Sequence, residues 1–221
     1  MKVSDALTQR RSVRAYQDKT VPEALMQEIF TQAQHAPSNC NTQPWHVSVV
    51  SGEARDALEQ ALLADIMSGK PPSPTFQPGD KDLSEVYKKR QVDCAIALYD
   101  AMDIKYEEKE KRQQLMLRNW QFFGAPHAAF FSMPKSMGEV NAVDIGIYLQ
   151  TIMLLMTEHG IACCPQGALA FYPDPVHELA QIPEGNGILF GLSFGYAEEG
   201  AAINSFQMDR EALTTSVTFL S

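Results

Sequence analysis

Between residues 141 and 159 the chain is apolar nearly all the way round a helix. Ile145, Ile147, Leu149, Ile152, Met153, Leu154, Leu155 and Met156 are interrupted by little besides Tyr148, Gln150 and Thr151, and Gly160 follows where helices commonly stop. A helix of this kind has no face to offer water. It must be covered on all sides, by its own sheet or by another subunit, and every fold open to the chain has to meet that demand. The apolar run at 145–156 is too short to span a bilayer, so a core helix is expected, with Met153 and Met156 as core or interface filler.

The remaining pattern supplies the sheet. Thr20 followed by Glu23 reads as a capping box, and Leu25, Ile29 and Ala33 repeat at helical spacing until His35, Ala36 and Pro37 end that helix. A turn-rich stretch at 37–44 leads into alternating residues at 45–50, a strand closed by Ser51 and Gly52. A helix is expected at 53–67, then a mobile loop at 69–74 rich in proline. Residues 83–123 read as a charged helical excursion, with Tyr87, Arg90, Cys94 and Leu98 on one stripe and 107–112 solvated. Strands are expected at 127–131, 161–164 and 187–195, and a short helix at 173–180. The tail at 197–221 lacks a helical period, although 217–220 could pair as an edge strand. No G-x-G-x-x-G opens a helix after a strand and no G-x-x-x-x-G-K occurs, which disfavours the standard nucleotide folds. The expectation is one α+β domain over 1–221, a sandwich with a mixed or antiparallel central sheet flanked by helices.

Net charge narrows the partners. At −9 over 221 residues the surface would repel nucleic acid or an anionic membrane, so any anion must be small and locally held. Cys40, Cys94, Cys163 and Cys164 lack zinc-type spacing and read as reduced thiols of a cytoplasmic protein, and the first residues lack an apolar signal region. His35, His46, His127, His159 and His177 form no H-x-x-x-H or triad-like pattern, so neither a metal site nor thiol chemistry is expected.

Against that acidic background Arg10, Arg11, Ser12, Val13 and Arg14 put three guanidinium groups and a hydroxyl into five residues. In an extended segment Arg10, Ser12 and Arg14 share one face, a set of donors suited to phosphate. A solvated basic turn at a helix end would use the same residues. Pro37, Ser38, Asn39, Asn41 and Gln43 form a second cluster, of a composition that also serves routine loops by satisfying its own backbone. Pro165, Gln166 and Gly167 form a third, which reads equally as a strand-to-loop junction. The fourth runs from Gly195 and Tyr196 to Asn204, Phe206, Gln207 and Arg210.

Taken in order, these four segments resemble the FMN-dependent nitroreductase family: Arg-Arg-Ser-x-Arg, then Pro-Ser-x-x-Asn-x-Gln-Pro-Trp, then a C-terminal Gly-Tyr followed by Asn-x-Phe and an arginine. The resemblance implies an intertwined homodimer with two FMN sites at its interface. It assigns the FMN phosphate to Arg10, Arg11, Ser12 and Arg210, and the N1 and O2 edge of the ring to Arg14, whose fixed cation would favour the charge gained on reduction. Pro37, Ser38, Asn39, Asn41 and Gln43 would reach the flavin held mainly by the other subunit, and the main chain at Pro165, Gln166 and Gly167 would donate to N5 and O4. Family tails often carry a second arginine where Gln207 stands. The excursion at 83–123 would act as a lid with Trp120, Phe122 and Phe123 against substrate, and 197–221 as a C-terminal arm. The implied reaction passes hydride from NADH or NADPH through FMN N5 to a nitroaromatic, quinone or related small-molecule acceptor in a ping-pong cycle. Reductive dehalogenation, enone reduction and a non-catalytic flavin-binding role are the alternatives on the same fold.

Overall fold

The computed structural model describes residues 1–79 and 82–220. Eight helices and four strands are assigned among them: α1 (Val3–Gln9), α2 (Glu23–Ala33), β1 (His46–Ser51), α3 (Gly52–Met67), α4 (Glu85–Ala101), α5 (Lys109–Leu117), β2 (His127–Pro134), α6 (Glu139–Glu158), β3 (Ala162–Gln166), α7 (Pro173–Leu179), β4 (Asn186–Gly195) and α8 (Leu213–Ser216). The sheet runs β1-β2-β4-β3, every neighbouring pair antiparallel, with a register shift between Phe131 and Ser132. One parallel bridge, Ser12 to Cys163, lies at the outer edge of β3.

Strand periodicity divides the core into two layers. Along β2, Ala128 and Phe130 face one cluster with Leu58 and Leu62 of α3 and Val176 of α7. Ala129, Phe131 and Met133 face the other, with Ile29 of α2 and Ile145, Ile152 and Met156 of α6. β2 is buried along nearly its whole length because helices cover both faces of the sheet.

The apolar run at 145–156 lies within the 20-residue α6, which as a whole is long and apolar enough to cross a membrane. It is nevertheless built into the core, with Ile145, Tyr148, Leu149, Ile152, Met153 and Met156 buried on one face. The other face is open in a single chain: Val140, Val143 and Ile147 are 62%, 62% and 40% exposed.

Several expectations change. α1 was not anticipated, and it ends immediately before Arg10. α2 is preceded by Pro22 and has no side-chain cap, so Thr20 does not form the expected box. The reason is tertiary: the Val21 N–H donates to His127 Nε2 at 2.8 Å, which holds 20–22 extended over the end of the sheet. The stretch at 69–74 is tethered, not loose. Lys70 Nζ lies 2.7 Å from Asp65 and 2.9 Å from Asp174, and the Ser73 N–H donates to Phe171 O at 2.8 Å. Residues 217–220 form no strand, and Phe219 and Leu220 are 83% and 92% exposed. The last residue of the expected arm, Ser221, lies outside the described residues.

His127 carries a pH dependence. Its Nε2 accepts from Val21, so the ring proton resides on Nδ1, 2.5 Å from Ser51 Oγ, while the ring stacks on Phe194. Burial pushes its pKa below the ordinary value. A ring kept neutral in the fold, but free to protonate once unfolded, contributes stability that is full above about pH 6.5 and is lost as pH falls toward the folded-state pKa. The Tm should therefore drop between about pH 7.5 and 5.5, and drop less in His127→Gln, whose amide oxygen can still accept from Val21. Equal drops in both proteins would remove His127 from this role.

Candidate active site

The segment after α1 is extended, and it alternates. Val13 and Ala15 are buried, while Arg10, Ser12 and Arg14 are half-buried on the opposite side. The Val13 N–H donates to Cys163 O at 3.1 Å, and Tyr16 pairs with Ala197, so the segment lies between the outer edge of β3 and the start of the C-terminal arm. The buried Tyr16 hydroxyl lies 2.8 Å from Val13 O and 3.1 Å from Ser193 O, and burial raises its pKa well above the ordinary value.

A cavity of about 520 Å³ opens in front of this segment, lined by Arg10, Arg11, Ser12, Arg14, Gln207 and Arg210 among others. Among the described residues no carboxylate oxygen lies within 4.0 Å of any of these four guanidinium groups, although ion pairs form elsewhere on the surface. Arg210 is exposed and turns back on its own backbone, with Nη1 donating to Met208 O at 2.8 Å. The Arg14 guanidinium sits 5.3 Å from the Phe206 ring and 5.9 Å from the Phe123 ring. Arg10, Arg11 and Arg210, expected at the phosphate, and Arg14, expected at the ring edge, thus line one cavity together with Gln207, which stands where family tails often carry a second arginine. Such a donor set, unneutralised by protein carboxylates, fits a phosphate.

What joins the two ends of the chain is Asn204, whose role the sequence reading missed. It is buried in a 3₁₀ turn, where its Oδ1 accepts from the Arg14 and Ala15 N–H groups at 2.8 and 3.2 Å. Its Nδ2 donates to Ala15 O at 2.9 Å and Glu198 O at 3.3 Å. The available signal was an asparagine, with its paired donor and acceptor, two positions before an aromatic in the tail.

The turn at 37–43 is preformed elsewhere. Ser38 Oγ accepts from the Gln43 N–H at 2.9 Å, Gln43 Nε2 donates to Asn41 O at 3.2 Å, and the Asn39 N–H donates to Asp144 of α6 at 3.0 Å. Cys40, Asn41 and Gln43 take φ of 50°, 57° and 46°. Trp45 stacks on Tyr148 with ring centroids 4.5 Å apart, which anchors the end of the turn to α6. Ser38 and Gln43 are partly committed to the loop itself, Pro37, Asn39 and Asn41 are exposed, and none of 37–43 lines the arginine cavity.

Pro165 and Gln166 end β3, and Gly167 begins a 3₁₀ turn. The Gln166 side chain is consumed internally: its Oε1 accepts from Ser193 Oγ and its Nε2 donates to Asn119 O at 2.9 Å. Pro165 has no N–H, so Gln166 and Gly167 are the only backbone donors in this trio.

Trp120, Phe122 and Phe123 are not a cover over open space. All three are buried in the core, Trp120 edge-on to Tyr172 and Phe122 edge-on to Phe130. Cys163 and Cys164 are also buried. Burial pushes the Cys163 thiol up to about 12 and raises that of Cys164, so neither is a thiolate near neutral pH. Among the described residues no group of three or more His, Cys, Asp or Glu side chains is arranged to hold a metal.

The chain is thus an α+β protein with an arginine-lined cavity beside the outer edge of its sheet. The sequence profile of the Nitroreductase family matches residues 7–196. Nitroreductase NfnB of Mycolicibacterium smegmatis is 41% identical over 210 residues, covering 95% of this chain and 89% of its own. The 4-nitrobenzoate reductase of Pseudomonas putida is 33% identical over 202 residues, covering 91% and 88%. Among solved structures, the FMN- and NADPH-dependent nitroreductase NfnB from Sphigopyxis sp. strain HMH superposes with a TM-score of 0.97 at 34% identity, over 100% of both chains. The FMN-dependent nitroreductase NfnB from Mycobacterium smegmatis, solved in complex with NADPH, gives 0.94 at 40% identity over 99% and 98%. The chain belongs to the nitroreductase family.

Asn204→Ala should cost about 1–3 kcal/mol in urea unfolding, because it strands the Arg14 and Ala15 N–H groups inside the protein. Limited proteolysis should then cleave the arm after 204 faster than in the parent. Unaltered stability and cleavage would show that the arm is held by other contacts.

Proposed function

We infer that the protein is a homodimeric FMN-dependent oxidoreductase of the nitroreductase type, with NADPH as reductant and a nitroaromatic as acceptor. The observation that carries the reading is the set of four guanidinium groups on one cavity of an otherwise acidic chain, with no carboxylate partner among the described residues. The family membership and the cofactors named for the two NfnB structures support it. Bound FMN supplies a ring that accepts a hydride from reduced nicotinamide and passes it to an electrophile.

The chain's own residues have three tasks. Arg10, Arg11, Ser12 and Arg210 hold the phosphate, with Gln207 contributing a neutral amide. Arg14, fixed between Phe123 and Phe206, opposes the negative charge that builds on reduction. The backbone at Gln166 and Gly167 offers donors to the ring edge. No acid–base pair is assigned. The buried thiols are protonated and His127 is a neutral structural ring, so protons come from solvent.

The exposed face of α6 supports dimerisation. Asp144, which holds the 37–43 turn, and Gln150, which lines the arginine cavity, are six positions apart and so about 120° apart around the helix. One chain therefore presents turn and cavity on different sides. A second copy against Val140, Val143 and Ile147 would cover the open apolar face and carry its turn to the first copy's cavity. The C-terminal arm, with Phe219 and Leu220 exposed, has apolar surface to add to the same contact. Four free thiols suit the cytoplasm.

Purified protein should be yellow, bleach anaerobically with NADPH, and recolour when 4-nitrobenzoate is added. Ser12→Ala and Arg210→Ala should each weaken FMN binding by about 1–3 kcal/mol in fluorescence titrations, whereas Arg14→Ala should slow ring reduction more than it weakens retention. A colourless protein that FMN cannot reconstitute would end the reading. Separately, Ile147→Asp should sediment as a monomer and lose FMN affinity with the dimer; a monomer that binds FMN as tightly as the parent would place the whole site within one chain.

A further inference from the structure

Three consecutive residues, Phe122, Phe123 and Gly124, take φ of 52°, 53° and 78°. Glycine adopts such angles freely, but a phenylalanine persists there only when its surroundings over-determine it. On one side those surroundings are a single side chain from α3. Arg55 lays its guanidinium across the turn, with Nε donating to Ala125 O at 3.1 Å and Nη2 to Gln121 O at 2.9 Å. Its Cζ is 5.1 Å from the centre of the Phe122 ring, and Asp56 and Glu59 hold the group from behind at 2.8 and 2.6 Å. A flat fork that bridges two carbonyls four residues apart is a geometry arginine offers and lysine lacks.

On its other side the same segment touches both elements assigned to the flavin ring. Phe123 packs 5.9 Å from the Arg14 guanidinium, and Arg118 Nη2 donates to Arg14 O at 3.3 Å. Asn119 O accepts from Gln166 Nε2 at 2.9 Å, and Trp120 Nε1 donates to Ala168 O at 3.1 Å. The segment 118–123, which runs into the strained turn, therefore meets the cation intended for one edge of the ring through Phe123 and Arg118, and the stretch intended for another through Asn119 and Trp120.

We propose that Arg55 is a positioning residue for the cofactor site: by clamping the left-handed turn it sets, through Phe123 and Asn119, the places of Arg14 and of the backbone at Gln166 and Gly167. The proposal rests on the ring-facing roles given to those residues above. It accounts for a guanidinium that does not line the arginine cavity, is only 14% exposed, and is matched by two carboxylates.

Arg55→Met, prepared without cofactor, is tested by hydrogen exchange with mass spectrometry. Peptides covering 12–15 and 164–168 should exchange about tenfold faster than in the parent, while α6 keeps its rates. Unchanged rates at 12–15 and 164–168 overturn the proposal whatever the flavin does, and so does acceleration spread evenly through α6, which marks Arg55 as a general stabiliser. Reloaded with FMN, the variant should have a lower midpoint potential, in the direction of Arg14→Ala, and the double variant should shift no further than Arg14→Ala alone. Additive shifts overturn the proposal. Faster exchange in Arg55→Met together with a potential indifferent to Arg14→Ala would retire the ring-facing role of Arg14 and leave the clamp standing. Should Arg55→Met not fold, Arg55→Lys, which keeps the charge without the fork, carries the same expectations.

Discussion

The pairing of residues 12–16 with the outer edge of β3 and the root of the C-terminal arm is the interaction on which the site depends. Arg10 and Arg14, four residues apart on one face of an extended chain, start about 13 Å apart, where two unit charges repel by roughly 1 kcal/mol in a partly screened environment. Burying the side chains of Val13 and Tyr16 contributes about 1.5–3 kcal/mol each, enough to hold the cations in place without any counterion. The repulsion that remains is what a dianion relieves. Asn204 adds the directional part, because a carboxamide can satisfy backbone donors and acceptors on both strands of chain at once.

Period and composition made most of the architecture readable. α6, the strands at 46–51 and 127–134 and the helix at 52–67 lie within a few residues of their sequence expectation, because each has a local pattern strong enough to stand by itself. The failures share a cause, a partner distant in sequence. Thr20 has the right neighbours for a cap, but the Val21 N–H is taken by His127. Trp120, Phe122 and Phe123 were placed in a lid by the resemblance, yet they are buried in the core, Phe122 and Phe123 in a left-handed turn. The short run at 217–220 has strand composition and no strand beside it. Of the candidate site, the guanidinium cluster was legible from charge density alone. Arg210 and the turn at 37–43 were legible only through the resemblance, since neither differs in composition from ordinary surface chain. Asn204 and Arg55 act through backbone carbonyls and N–H groups, which leave no mark in a list of side chains.

On the proposed reading a single copy of the chain holds only part of the site. The turn at 37–43 is rigid before anything binds it: three of its residues take left-handed angles, and Asp144 and Tyr148 fix both ends to α6. That rigidity is conformational entropy already spent on folding, so a partner docking on the open face of α6 meets a shaped surface and loses little in ordering it.

The two adjacent cysteines lie directly behind the arginine segment, sealed from water and held protonated. Reduction of a nitro group passes through a nitroso compound, an electrophile that thiolate sulfur attacks. On the proposed reading the catalyst generates such an electrophile while its two buried, protonated thiols stay unmodified, with the exposed Cys40 as the thiol open to attack on prolonged turnover.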